Sequence, residues 1–170
     1  IVRYLTQTGT SDVLTIGGGG TFTPSTSTVT YTGSGEVNVA STTYNNLTLT
    51  PTSATTYSLA NAIILNGNLT INTNATLDVT ASNYGITLAG NWANSGTFTA
   101  GTSTVTFNGT TSGKTITTGG SSFYNLTING TGGAWAIQDA NATISNNFTL
   151  SSGTFTSASG TLSAGGDWND

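Results

Sequence analysis

The sequence contains a long internal repeat, and this feature limits the possible folds more than any other. Residues 96–107 (GTFTAGTSTVTF) repeat residues 20–31 (GTFTPSTSTVTY) at a distance of 76 positions. Residues 44–49 return as residues 123–128, now 79 positions later. A period of this length is typical of chains in which each copy comprises several stacked supersecondary units.

A shorter period lies inside each copy. Apolar–Thr–apolar triplets recur every 17 to 22 residues, and they are centred on Thr30, Thr48, Thr70, Thr87, Thr106, Thr127 and Thr149. One coil of a β-solenoid needs about 20 residues. This spacing predicts about eight coils, with four in each long copy.

The repeat also predicts the organisation of the chain. We expect residues 1–19 to form an N-terminal strand and a glycine-rich joint. Residues 20–95 then form the first solenoid repeat and residues 96–170 the second, within one continuous solenoid.

Apolar residues alternate with Thr, Ser and Asn through both copies, which is the period of a strand with one buried face. No stretch shows a helical period, so the fold class is all-β. Stacked coils require Leu47 and Leu69 to be neighbours in adjacent layers. Alternation with frequent turns also fits one or more antiparallel β-sandwiches, but the internal repeat favours a parallel β-solenoid.

Asparagine precedes the apolar–Thr–apolar triplet at four places, namely Asn46, Asn68, Asn125 and Asn147. Asparagines at a fixed turn of successive coils can stack, with their amides bonded to one another along the axis. These four residues are therefore the candidates for a structural ladder.

Composition excludes several functions. The chain has only two basic residues and six acidic ones, so a nucleic-acid partner is not expected, because phosphate binding requires clustered Lys and Arg. It has no Cys and no His, and its carboxylates are scattered along the sequence. We therefore expect no catalytic site, cofactor or metal. No apolar run approaches the roughly 20 residues of a membrane-spanning helix.

Two binding functions remain as alternatives. Trp92, Trp135 and Trp168 are candidates for stacking on the rings of glycans, and Trp92 and Trp168 occupy the same place in the two copies. Repeated Thr-x-Thr elements could form an ice-binding array. That array requires threonines aligned in ranks, and coils of unequal length are expected to prevent the alignment.

The first residues have no counterpart in the second copy. Ile1, Val2, Arg3, Tyr4 and Leu5 have the pattern of an extended strand. This strand is either the end of a preceding coil or a strand donated to a neighbouring subunit. Position 1 is Ile, which is expected for a processed product or a piece of a longer protein.

Residues 90–107 and 123–128 resemble the repeats of very large bacterial β-strand-repeat surface proteins, which are similar to filamentous-haemagglutinin-like adhesins and autotransporter passengers. The resemblance covers nearly all of residues 20–170. It implies a right-handed parallel β-helix, an extracellular or cell-surface location, and no catalytic residues.

The expected function is accordingly structural. The chain is predicted to be a subunit or segment of a cell-surface stalk, adhesin or self-assembling filament. Its expected partner is itself, through head-to-tail assembly or through continuation of a longer repeat chain, with surface glycans as a further class. A glycan-binding or ice-binding solenoid module is the alternative.

Overall fold

The computed structural model describes the backbone of residues 4–7, 11–12, 14 and 21–170, and the side chains of Leu14 and residues 21–170. Every strand pairing in it is parallel, and about seven coils are stacked on one another. This confirms the parallel β-solenoid. The strands are β1 (Tyr4–Gln7), β2 (Ser11–Asp12), β3 (Thr28–Tyr31), β4 (Gly35–Val39), β5 (Thr43–Tyr44), β6 (Asn46–Leu49), β7 (Thr55–Leu59), β8 (Ile63–Leu65), β9 (Leu69–Ile71), β10 (Ala75–Asp78), β11 (Ile86–Leu88), β12 (Trp92–Asn94), β13 (Thr97–Thr99), β14 (Thr104–Phe107), β15 (Lys114–Thr117), β16 (Asn125–Ile137), β17 (Ala142–Ile144), β18 (Phe148–Thr156), β19 (Leu162–Ala164) and β20 (Trp168–Asn169).

Each coil passes three faces in a fixed order. Face 1 contains β1, β3, β6, β9, β12 and β15, followed by the second halves of β16 and β18. Face 2 contains β2, β4, β7, β10 and β13, followed by β17 and β19. Face 3 contains β5, β8, β11 and β14, then the first halves of β16 and β18, and finally β20. Because β16 and β18 continue around a corner, faces 1 and 3 form one 13-stranded sheet.

The interior is a single core that runs along the axis. Alternate residues of each strand point inward, and the buried residues form one continuous cluster. Leu47 and Leu69 are Cα partners in adjacent coils and are both fully buried, as the sequence predicted. Burial of apolar area in this column and main-chain bonding between coils therefore stabilise the same stack.

Coil length varies without disturbing the strand register. Along face 1 the consecutive partners are Val29, Leu47, Leu69, Trp92 and Ile116, so single coils contain 18, 22, 23 and 24 residues. The extra residues lie in the corners. The 17-residue step from Thr70 to Thr87 is not a coil, because Thr70 lies on face 1 and Thr87 on face 3.

The two long copies are turned relative to one another about the solenoid axis. Val29, Leu47, Leu69 and Trp92 are partners along face 1, whereas their counterparts Val105, Leu126, Phe148 and Trp168 are partners along face 3. From β3 to β14 the chain completes three coils and then passes face 2 to reach face 3. One copy is therefore three and two-thirds coils, not the four that the triplet spacing predicted.

Glycines form a column at the corner between faces 3 and 1. A β-carbon at Gly90 would lie 2.4 Å from the carbonyl oxygen of Gly67, one coil below. The equivalent distances are 2.1 Å from Gly109 to Ala89 O and 2.0 Å from Gly130 to Gly109 O. The corner is thus tight enough to require glycine, independently of any left-handed backbone conformation.

Face 2 is interrupted within the second copy, between β13 and β17. Above β13 the chain forms a turn instead of a strand, and the N–H of Phe98 donates to Ser121 Oγ at 3.0 Å. The buried Asn94 donates from Nδ2 to Thr118 O at 2.8 Å and to Ser121 Oγ at 3.1 Å. Its Oδ1 accepts the N–H of Gly96 at 2.9 Å. These side-chain bonds replace the missing ladder.

Candidate functional site

The last coil, which we call the terminal coil (residues 154–170), exposes the interior of the solenoid. The Trp168 side chain is 51% exposed, whereas its counterpart Trp92 is 1% exposed. Phe155 and Leu162 are only partly buried against the core. The Phe148 ring lies 4.3 Å from Trp168 and 4.7 Å from Phe155, measured between ring centroids. Within the described residues, the terminal coil is therefore a core layer with no further coil above it.

The same coil presents unpaired strand edges. Within the described residues β19 pairs only with β17, and β20 pairs only with β18. The N–H of Gly165 donates to Ile144 O in the coil below, and Thr161 O accepts the N–H of Ala142. Successive residues of a strand direct their main-chain groups to opposite neighbours. Leu162 and Ala164 therefore direct theirs upward, where the described chain offers no strand.

The predicted asparagines lie in two columns. Asn46 and Asn68 stand at the start of face 1, with Asn91 above them. Asn125 and Asn147 stand at the start of face 3. The rotation of one copy relative to the other about the solenoid axis explains the separation of the two columns, because equivalent residues lie on different faces. Asn91, whose Oδ1 accepts the N–H of Thr115 at 2.9 Å, belongs to the first column although a Trp follows it.

The bonding in these columns differs from the predicted amide ladder. Asn46 Oδ1 accepts the main-chain N–H of Asn68 at 2.9 Å, and Asn68 Oδ1 accepts that of Asn91 at 2.8 Å. At both of these steps the donor follows a glycine, and a β-carbon at Gly67 or Gly90 would lie 2.4 Å from the accepting Oδ1. At the next step Lys114 precedes the donor Thr115.

One step of the second column has no glycine. Asn146 precedes Asn147, and the bond from the N–H of Asn147 to Asn125 Oδ1 lengthens to 3.3 Å. Asn146 Nδ2 donates to the same oxygen at 2.9 Å. This bond joins two side-chain amides, as in the predicted ladder. The main-chain N–H of Asp167, which follows Gly166, again donates to Asn147 Oδ1 at 2.9 Å.

Two of the three tryptophans cannot stack on glycans. Trp92 and Trp135 are both 1% exposed, so their ring faces are covered by the core, and this prediction is wrong for both. Trp135 Nε1 donates to Gly90 O at 3.1 Å inside the solenoid. Trp92 lies between Phe98 and Phe123, with centroids at 4.9 and 5.1 Å. Trp168 alone remains accessible among these three.

Threonines of successive coils are aligned in a column although the coils differ in length, contrary to the expectation from coil length. On face 3 the consecutive Cα partners are Thr87, Thr106, Thr127 and Thr149. All four side chains point outward and are partly exposed. Their alignment follows from the strand register, because insertions are confined to the corners.

Part of the N-terminal strand lies outside the described residues, namely Ile1, Val2 and Arg3. Tyr4 and Leu5 belong to β1, which pairs with β3 of the same chain. In this arrangement β1 forms part of a preceding coil of the same chain, and donation of this strand to another subunit stays a prediction. β2 likewise pairs with β4 at Ser11↔Val37 and Asp12↔Asn38.

Three buried phenols in the described part of the chain have raised pKa values. Tyr44 Oη donates to Ala40 O at 2.6 Å, and the two hydroxyl oxygens of Tyr31 and Tyr44 lie 3.2 Å apart. Burial raises the pKa of Tyr31 and of Tyr44, and it raises the pKa of Tyr57 to about 12. Their counterparts in the second copy are Phe107, Phe123 and Trp135.

Acidic residues do not gather into a site in the described part of the chain. No group of three or more His, Cys, Asp or Glu side chains there could hold a metal ion. Asp139 accepts the N–H of Thr118 at 2.6 Å, so its carboxylate joins two adjacent coils. Among the described residues no helix has the length and apolar character to span a membrane.

Comparison with protein-family models, curated proteins and solved structures gives no match for this chain. The geometry described above is therefore the basis for a functional proposal.

Proposed function

We propose that the protein is a non-catalytic structural unit, a rod segment that joins further units of its own kind end to end in an extracellular filament, stalk or adhesin. The observation that carries this proposal is the open terminal coil, where no described residue covers a core layer and two strand edges. Apolar area removed from water contributes roughly 25 cal/mol per Å². A further coil would also satisfy the free main-chain groups, each worth about 1 kcal/mol.

Other features support a role as a rod. Natural proteins commonly protect edge strands with charges, prolines or a covering element. β19 consists of Leu162, Ser163 and Ala164, which carry none of these protections. The extracellular or cell-surface location rests on the sequence resemblance and is part of the proposal.

Negative-stain microscopy combined with sedimentation over a range of concentrations tests the proposal. We expect rods whose length increases with concentration. The variant Ala164→Pro removes one upward N–H and leaves the ladder to β17 intact, so it should shorten the rods. Ala164→Val keeps the N–H and serves as the control. Uniform short particles of the unmodified chain at every concentration would refute the proposal.

An ice-binding surface is a second candidate, and the threonine column of face 3 favours it. Thr87, Thr106, Thr127 and Thr149 repeat at the strand spacing of about 4.8 Å, and no charged side chain interrupts them. If this surface binds ice, the protein causes thermal hysteresis and Thr127→Tyr abolishes it. Thr76→Tyr on face 2 is the matched control. Absence of hysteresis in the unmodified protein removes this candidate.

A further inference from the structure

The molecule already contains one junction between copies of its repeat. At this junction β11 and β12 of the first copy support β14 and β15 of the second. The Cα partners are Ile86↔Val105 on face 3 and Trp92↔Ile116 on face 1. The junction shows how one repeat of this sequence stacks on another.

The terminal coil reproduces the lower half of that junction. β19 corresponds to β11, with Leu162 in the place of Ile86 and Ser163 in the place of Thr87, 76 positions later. β20 corresponds to β12, and Trp168 takes the place of Trp92. Both strands have a free upper edge in the described structure.

The other end of the chain reproduces the upper half. β3 corresponds to β14, since TVTY at 28–31 matches TVTF at 104–107, and β4 corresponds to β15. The lower edges of β3 and β4 are occupied by β1 and β2 of the same chain. The pairing between β2 and β4 is short, because only Val37 and Asn38 of the five residues of β4 have partners in β2.

An aromatic pair near that edge matches the surroundings of a tryptophan. At the junction Trp92 contacts Phe98 and Phe123, whose ring centroids are 6.0 Å apart. The corresponding residues of the first copy are Phe22 and Tyr44, with centroids 6.4 Å apart. The residue that β2 places opposite Val37 is Ser11, where the junction has Trp92 opposite Ile116. The first copy thus contains the ring pair Phe22 and Tyr44 without a tryptophan beside it. Trp168, in turn, has no equivalent ring pair among the described residues.

We propose that two copies join by strand exchange, an inference that rests on the proposed end-to-end assembly. β19 and β20 of one copy replace β1 and β2 beneath β3 and β4 of the next copy. The junction fixes the register as Ser163 beside Thr30 and Trp168 beside Val37. Each added copy is therefore turned by one face, so that face 2 of one copy continues into face 1 of the next.

Engineered cysteines test this register, and the native chain contains no cysteine to interfere. The single variants Ser163→Cys and Thr30→Cys are mixed and oxidised, and we expect a disulfide-linked dimer, because Cα partners in adjacent strands lie within disulfide range. The control mixes Thr156→Cys with Thr28→Cys, because Thr156 lies in the face 1 column of Thr28 and would meet it if copies stacked without a turn. A dimer from the control mixture and not from the first mixture would overturn the proposed register.

A reversible lock tests the exchange itself. Thr6 and Thr30 are Cα partners, so the double variant Thr6→Cys/Thr30→Cys forms a disulfide that holds β1 on β3. We expect the oxidised variant to remain monomeric and to assemble after reduction. The control lock, Thr48→Cys/Thr70→Cys, joins partners inside the rod and should leave assembly unchanged.

The outcomes separate this inference from the proposed function. Rods that form equally well with the Thr6–Thr30 lock closed would refute strand exchange and leave end-to-end assembly standing. If the unmodified chain never forms rods, both proposals fail together.

Discussion

The β-carbon that Gly109 lacks would lie 2.1 Å from the carbonyl oxygen of Ala89 in the coil below. That oxygen belongs to the main chain and cannot rotate away. At Gly85 the nearest atom is Thr104 O at 3.4 Å, an ordinary contact. A side chain is therefore excluded at Gly109 and tolerated at Gly85, although the two glycines lie on neighbouring coils and the sequence does not distinguish them.

We expect Gly109→Ala to lower the free energy of unfolding by roughly 2 kcal/mol, because overpacking forces the backbone to shift. Gly85→Ala should raise it by up to about 1 kcal/mol, since alanine reduces the entropy of the unfolded chain. Urea denaturation of both variants measures the difference. Equal effects would contradict the tight corner.

Ser103 is a buried residue whose hydroxyl has no hydrogen-bond partner in the structure. Its counterpart Ser27 donates from Oγ to Pro24 O. An unpaired buried hydroxyl costs about 1–3 kcal/mol, so Ser103→Ala should raise the free energy of unfolding by about 1 kcal/mol. Ser27→Ala should lower it by a similar amount. Thermal denaturation in which Ser103→Ala proves the less stable of the two would be inconsistent with this account.

At the scale of the strand and its corner, the asparagine columns show how successive elements are joined. Each Oδ1 accepts a main-chain N–H that would otherwise lack a partner at the corner. Adjacent glycine makes room for the side chain below. This pairing of Asn with Gly explains why Asn68 follows Gly67 and Asn91 follows Gly90.

We expect Asn68→Ala to lower the free energy of unfolding by about 1 kcal/mol, the worth of one such bond. Asn66→Ala, two residues away on the exposed corner, should change it little. Asn68→Asp keeps an acceptor oxygen and should retain most of the stability at neutral pH. Denaturant titration compares the three, and a loss of stability in Asn66→Ala equal to that in Asn68→Ala would argue against the column.

Much of the fold was predictable from the sequence. Period-two alternation and repeat length report directly on strand and coil, so Leu47 and Leu69 were correctly assigned to adjacent layers. The face of each strand was not predictable, because Thr70 and Thr87 are separated by nearly a coil length although they lie on different faces. Trp92 and Trp135 were candidates for glycan stacking because the sequence alone does not show whether a tryptophan side chain is buried in the core or exposed on the surface.

The open terminal coil was predictable only in outline. Absence of a helical period indicated that no helix covers an end. The correspondence between Trp168 and Trp92 was also visible in the repeat. What the sequence could not show is that Phe22 and Tyr44 lie 6.4 Å apart without a tryptophan, because this distance depends on the packing of separate coils.

For the whole molecule, the two copies differ in their response to alkali. Tyr31, Tyr44 and Tyr57 lie in the first copy, and non-titrating aromatic rings occupy their places in the second. A phenol whose folded pKa exceeds the unfolded value of 10.0 contributes full stability below pH 10. That stability is lost as the pH rises from 10 through about 12, the folded pKa of Tyr57.

We therefore expect the lower coils to unfold first above pH 10. All three tryptophans lie in the upper coils, so far-ultraviolet circular dichroism should change at a lower urea concentration than tryptophan fluorescence. At pH 7 the two transitions should lie closer together. The variant Tyr31→Phe/Tyr44→Phe/Tyr57→Phe should lose the pH dependence. An alkaline separation that persists in this triple variant would show that other groups cause it.

Each repeat comprises three complete coils and two-thirds of a fourth, and this fraction of a coil has a consequence for longer polymers. β14 is the eleventh strand after β3, and a coil has three strand positions. Three repeats therefore cover 33 strand positions and return to the starting direction after 11 coils. Any chemical group encoded once per repeat would then follow a helical path along the polymer. Such a fibre would present the same groups toward every side, and a contact could form whatever its orientation about its own long axis.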